Sequence, residues 1–177
     1  MRINNPRPQV NDMLKETRVN LVRFSQMADT KANILLSIAL VLLTISINKV
    51  TDPAFTLSMI VLIIFLIATI LLSLLAVAPN FNIPKREKRS VTDADYSPLF
   101  FGDYVDIPYD EYTSHLEEVM NNPNRTYEAK IREIYNAGVY LHKTKYKYLT
   151  YGYILFLIGM IASTLIYFIH FFELFDF

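Results

Sequence analysis

An all-α membrane protein with three spanning helices is the fold that three observations predict. Three stretches of the chain hold no acidic residue, Lys or Arg for long enough to cross a bilayer, 53% of the 177 residues are hydrophobic, and the basic residues are unevenly distributed. Soluble chains average roughly 45–50% apolar residues, and a hydrocarbon core takes about 20 apolar residues in a row. The uncharged stretches lie between Lys31 and Lys49, from Ala54 to Ala78, and between Lys147 and Glu173. Of the 17 Lys and Arg, only Lys49 falls outside the N-terminal tail and the segment between the second and third stretches. Basic flanks are retained on the cytoplasmic side. The expected topology is therefore multi-pass, with the N terminus and residues 79–147 cytoplasmic and the C terminus outside. Mostly polar sequence precedes the first span, which predicts a retained anchor and not a cleaved signal peptide.

The elements follow in order. Leu14, Thr17, Leu21, Phe24 and Ala28 recur at steps of three and four, the spacing of one helix face. No Pro or Gly interrupts Asn11 to Asn48, so a cytosolic N-terminal helix over 1–31 is expected to run directly into the first span. Residues 32–78 then form a transmembrane hairpin of spans one and two. Span two ends at "APNFNIPKREKR", where Pro79 and Pro84 stop the helix and the basic cluster anchors the inner surface. Residues 79–147 read as a cytosolic helical insert that begins as a loop. Pro108 suits a first helical position, and Tyr109, Tyr112, Leu116 and Val119 give the apolar stripe of a short amphipathic helix. Asn122 and Pro123 supply the cap and first turn of the next helix. There Ile131, Ile134, Gly138 and Leu141 carry a stripe into the third span, which with a short outer tail occupies 148–177. Two spans thus extend into the cytosol, and Tyr148, Tyr151 and Tyr153 fit an interfacial aromatic belt.

Composition excludes several functions. The formal net charge is zero, and no basic face long enough for nucleic acid occurs. The absence of cysteine removes disulfides, thiol catalysis and Cys-based zinc sites. No phosphate loop, nucleophile elbow or HExxH is present, so no enzyme, cofactor or metal site is expected. His115 with Glu111 and Glu118 reads as a solvated helix face in preference to a metal site.

The charges at the edge of span one need a reason, because a simple anchor requires no acid there. Asp29 lies four residues before Asn33, and Ser37, Thr44 and Asn48 continue that face, giving a polar stripe along the span. Such residues usually face a bundle interior or water. Two readings compete: hydrogen bonds that hold the bundle together, or the lining of a path that opens on assembly. Asp29 also has Lys143, Lys145 and Lys147 at the same level of span three as possible partners. In span three, Gly152, Gly159, Ser163 and His170 fall nearly in line, and such small residues permit close helix approach. That face suits packing within the chain or against another copy, while His170 reads as an interfacial polar residue. In "SPLFFGDY", Phe100 and Phe101 before Gly102, with Tyr104, fit a core plug, a membrane wedge or a stacking platform for a base; core packing is the first expectation.

"QMADTKANILLSI", "SPLFFGDY", "YDEYTSHLEEV" and "YEAKIREIYNAGVYLHKTKYKYL" together resemble the transmembrane effector family of the Pycsar antiphage defence systems, from about Val19 to span three. Asp29, Lys31 and Asn33 match one signature, and Phe100, Phe101 and Gly102 the other. The resemblance implies a nonenzymatic effector, paired with a nucleotidyl cyclase that makes cyclic CMP or cyclic UMP on infection, which impairs the inner membrane to stop phage replication. Three spans are too few to enclose a wide aqueous path, so a chain that opens one is expected to self-associate. The alternative is a non-conducting membrane adaptor that anchors or regulates a cytosolic signalling enzyme. The topology is checked by single cysteines at Ser90 and Thr51: an impermeant thiol reagent applied from outside should label Thr51→Cys and spare Ser90→Cys.

Overall fold

The computed structural model describes residues 7–53, 55–78, 90–91 and 96–175. Pro79, Pro84 and the basic cluster read as a surface anchor lie outside these residues. Among them the chain is helical, without strands: α1 (Pro8–Lys49), α2 (Thr56–Val77), α3 (Phe101–Tyr104), α4 (Tyr109–Asn121), α5 (Pro123–Tyr140), a π-helical turn (Leu141–Tyr146) and α6 (Lys147–Phe175). Three helical rods are long and apolar enough to cross a membrane: α1, α2 and the rod from Pro123 to Phe172. With no Pro or Gly after its first residue, Pro8, α1 runs unbroken for 42 residues, about 63 Å at 1.5 Å per residue.

Two compact units emerge, divided in sequence at residues 24/25, 79/80 and 141/142. The first contains the start of α1 with α3, α4 and α5. Its hairpin of α4 and α5 is set by Asn122, whose Oδ1 accepts from the Asn124 and Arg125 amides at 3.1 and 3.4 Å, with Pro123 directly after it. The Thr126 hydroxyl donates back to the Val119 carbonyl at 2.7 Å. Pro108 sits one place earlier than expected, at the N-cap of α4. Tyr109 is 77% exposed; the packed face is made instead by Tyr112, His115, Leu116 and Val119. On α1, Leu14 is buried and Leu21 lies against Gly138, but Thr17 and Phe24 are exposed, so the five-residue stripe is only partly used. Arg18 pairs with Glu133 at 2.9 Å.

The second unit holds the remainder of α1 with α2 and α6. Its interior is lined by small residues. Ala28, Ala32 and Ala39 of α1 are almost fully covered, as are Ser58, Thr69, Ser73 and Ala76 of α2. Hydroxyls on this face turn back to their own helix, Ser58 to the Phe55 carbonyl and Thr69 to that of Phe65, each at 2.8 Å. Without water to satisfy backbone groups, helices associate by close packing at such residues. The tightest approach is α2 to α6: a methyl group placed on Gly159 would lie 2.9 Å from Phe65 Cγ and closer still to its Cβ, while Gly152 sits against Leu35, Leu72 and Ser73. At the far end Phe55 stacks on Tyr167 with ring centroids 5.0 Å apart.

The Gly152, Gly159 and Ser163 face is therefore occupied within one chain. Gly159→Leu consequently disrupts the fold itself. Even Gly159→Ala should lower unfolding stability in detergent by about 1–3 kcal/mol, the usual cost of overpacking; unchanged stability would mean that α2 and α6 do not meet there.

Candidate functional site

Asp29 belongs to a charged cluster built by α1 and the rod opposite. Both its carboxylate oxygens accept from Lys145 Nζ at 2.7 Å, and the same ammonium donates to Ser25 Oγ at 2.8 Å. The Lys145 side chain is 12% exposed and that of Asp29 33%, so water screens this pair less than a surface one. Among three candidate lysines, Lys145 is the partner because it stands four residues after Leu141 and four before Leu149, both buried. Lys143 and Lys147 are exposed. Ser25, one turn before Asp29, went unnoticed in the sequence although its spacing places it on the same face. Lys31 accepts through its backbone carbonyl from the Tyr153 hydroxyl at 3.4 Å.

The π turn was likewise unforeseen. It interrupts what the sequence reads as a plain helix from Ile131 into span three, and it carries Lys145. Such turns hold one residue more than an α-turn and recur at functional positions.

The polar stripe of span one points away from the bundle. Asn33, Ser37, Thr44 and Asn48 are all exposed, opposite the packed face of Ala28, Ala32, Leu35 and Ala39. The reading in which these four hold the spans of one chain together is not the one their exposure fits: on span one the covered small residues are Ala28, Ala32, Ala39 and Ser46. Ser37 and Thr44 bond to carbonyls of their own helix, those of Asn33 at 2.8 Å and Leu40 at 3.0 Å.

The aromatic segment also departs from its first expectation. Phe100 and Phe101 are 46% and 69% exposed and touch each other with centroids 5.1 Å apart, so they are not core. Gly102 and Asp103 are the buried members, and the Asp103 carboxylate accepts from the Ser97 amide at 3.0 Å. Tyr104 packs on Tyr112, whose hydroxyl donates to the Pro98 carbonyl at 3.2 Å. Beneath this segment Tyr96 is enclosed, with its hydroxyl pushed up to about 12, chiefly by burial and then by Tyr112, Asp103 and Glu111. Burial, with a contribution from Tyr104, raises Tyr112 as well. Arg132 donates to the Tyr96 carbonyl at 3.2 Å. Residues 96–124 contain six acids and no Lys or Arg, so the exposed rings sit in an acidic neighbourhood. His115 is not simply solvated, since it meets Tyr96 edge-on at 5.3 Å, and Glu118 pairs with Arg125. No cluster suited to a metal ion occurs among the described residues. His170 lines a shallow cavity of about 220 Å³ with Pro53, Thr56, Leu57 and Tyr167.

The sequence model of a family described as Pycsar effector protein domain matches residues 13–170. The match takes in the charged cluster, the outward stripe and the aromatic segment together. No curated protein and no solved structure shows a significant match to the chain.

The ion pair is tested by a double-mutant cycle on unfolding in detergent. Asp29→Ala leaves a largely buried ammonium without its carboxylate and should cost about 1–3 kcal/mol. Adding Lys145→Ala should cost little more, and strictly additive losses would show that the two groups are not coupled.

Proposed function

Because the chain belongs to the Pycsar effector family, we propose that it is a membrane effector of antiphage defence that senses a cyclic pyrimidine mononucleotide and disrupts the inner membrane by assembling with copies of itself. The observation that carries the assembly is the outward stripe of span one. Asn33 and Asn48 present side-chain amides with no hydrogen bond among the described residues. Polar groups facing lipid are costly, whereas a neighbouring helix supplies partners.

A second copy suits this face for a reason of symmetry. Copies sharing one orientation in one membrane bring identical residues together at identical depth. Only self-complementary groups survive that encounter: amides and hydroxyls both donate and accept, while like charges repel. From Asn33 to Asn48 the stripe holds no charge. Three packed spans enclose no wide aqueous path, since helices 8–10 Å apart fill their shared centre with side chains. Several copies are required, and Ser37, Thr44 and Asn48 then line or border the path between them.

For the trigger, cyclic CMP or cyclic UMP made by a paired nucleotidyl cyclase, the adjacent exposed rings of Phe100 and Phe101 offer a stacking platform, with Gly102 and Tyr104 shaping its edge. The acidic surroundings favour a second reading at that segment. Exposed Leu99, Phe100, Phe101, Val105 and Tyr109 amid carboxylates have the composition of a protein-docking patch. In that reading the chain is a non-conducting adaptor for a cytosolic signalling enzyme.

Membrane-potential recording separates these readings. Cells expressing the chain should depolarise when cyclic CMP or cyclic UMP is supplied, and Phe100→Ala with Phe101→Ala should lose the response. Single cysteines at Ser37 and Thr44 should cross-link copies in membranes, while those at Ile64 on α2 and Ile161 on α6 should not. A chain that depolarises the membrane while remaining monomeric would end the assembly proposal, and one that never depolarises it leaves the adaptor.

A further inference from the structure

The π turn and the Lys145 cluster occur together, and their coincidence has a physical reason. Before the turn, α5 is fixed to α1 by the Arg18–Glu133 ion pair and by Leu21 against Gly138. After it, α6 is fixed to α1 by Lys145 on Asp29 and Ser25, and by Gly152 against Leu35. Both sets of contacts therefore engage residues of one continuous helix, α1. Two straight helices drift out of phase along their length, because 3.6 residues per turn does not match a repeating contact pattern. A turn holding one surplus residue resets the phase.

Such a turn has an alternative. If the surplus residue is taken into a regular α-turn, every residue beyond it rotates by about 100° and advances by about 1.5 Å relative to those before. Residue 144 would then stand where Lys145 stands, and the ammonium would leave the Asp29 carboxylate. The three hydrogen bonds of Lys145 oppose that change.

We infer that the Leu141–Tyr146 turn, held open by Lys145 on Asp29 and Ser25, is a register joint that lets span three turn by one residue when the ion pair releases. Its consequence in the membrane follows from Gly159. Only a residue without a side chain fits against Phe65, and a turn of one residue replaces Gly159 there with Ile158. The α2–α6 seam would then be forced open at the level of Phe65, while the Leu72 level nearer the joint stays within reach, and the opening exposes new surface to lipid and to other copies. As a trigger, this step rests on the effector reading above; as a mechanical property of the helix it is separable from it.

The cysteine-free chain allows a direct test with paired cysteines. A methyl carbon on Gly152 lies 3.7 Å from Leu72 Cβ, within disulfide range, so Gly152→Cys with Leu72→Cys reports the register described here. Tyr151→Cys with Leu72→Cys reports the turned register, because residue 151 then takes the place of 152. In membranes containing the full chain, Asp29→Asn should raise the rate of the 151–72 disulfide about tenfold, the population shift expected from losing a charge-assisted hydrogen bond. The exchange Asp29→Lys with Lys145→Asp should return it to the original rate. Deleting Thr144 removes the surplus residue and should abolish the 151–72 disulfide while the 152–72 disulfide still forms, showing that the helices remain folded. A 151–72 rate indifferent to Asp29→Asn, or unaffected by the deletion, would overturn the joint. If Asp29→Asn raises the rate but cyclic CMP and cyclic UMP do not, the joint stands and nucleotide sensing fails.

Discussion

The contact on which the spanning unit depends is the close approach of α2 and α6 where Gly159 meets Phe65. In lipid there is no hydrophobic gain in bringing two apolar helices together, since the acyl chains are as apolar as leucine. What remains is dispersion at short range, and it requires backbones near enough for many atoms to touch. Glycine on one side and the base of a phenylalanine side chain on the other provide that proximity. The alanine face of α1 applies the same solution, with Ala28 and Ala32 packing against Ala76 and Leu149. Small residues thus define the inward surfaces, which leaves the larger and more polar ones facing out.

Against this apolar packing the Lys145 cluster contributes direction. Dispersion between smooth helices tolerates sliding and rotation, whereas an ammonium held by one carboxylate and one hydroxyl accepts a single register. The Ser58 and Thr69 hydroxyls of α2 are spent on the turn before them and provide no such specificity. Ser73 Oγ is buried without a partner, and the residue contributes through its size.

Much of this was legible in the sequence. The three spans announced themselves by uncharged length, and the unbroken α1 by the absence of Pro and Gly. The Asn122–Pro123 cap was readable from residue chemistry alone. Facing was harder. A periodic stripe shows that residues share a side of a helix, but not whether that side is inward, and for span one the polar stripe and the alanine stripe both satisfied the spacing. Lipid reverses the usual inference, because apolar character no longer marks the interior. Phe100 and Phe101 misled for a related reason: two adjacent aromatic residues suggest a core, yet in a four-residue helix only Gly102 and Asp103 turn inward. The π turn left no trace in a pattern that continued at helical spacing on both sides.

The hydroxyl bonds of Ser37 and Thr44 to their own helix have a further bearing on the proposed assembly. A hydroxyl satisfied by the preceding turn adds little to the cost of resting in lipid, so the drive to associate falls to the Asn33 and Asn48 amides and association is governed by mass action. Membrane damage by such a protein would rise steeply with its surface density instead of in proportion to it. A cell could then carry a silent stock below a threshold, and modest changes in expression would set how readily the response fires.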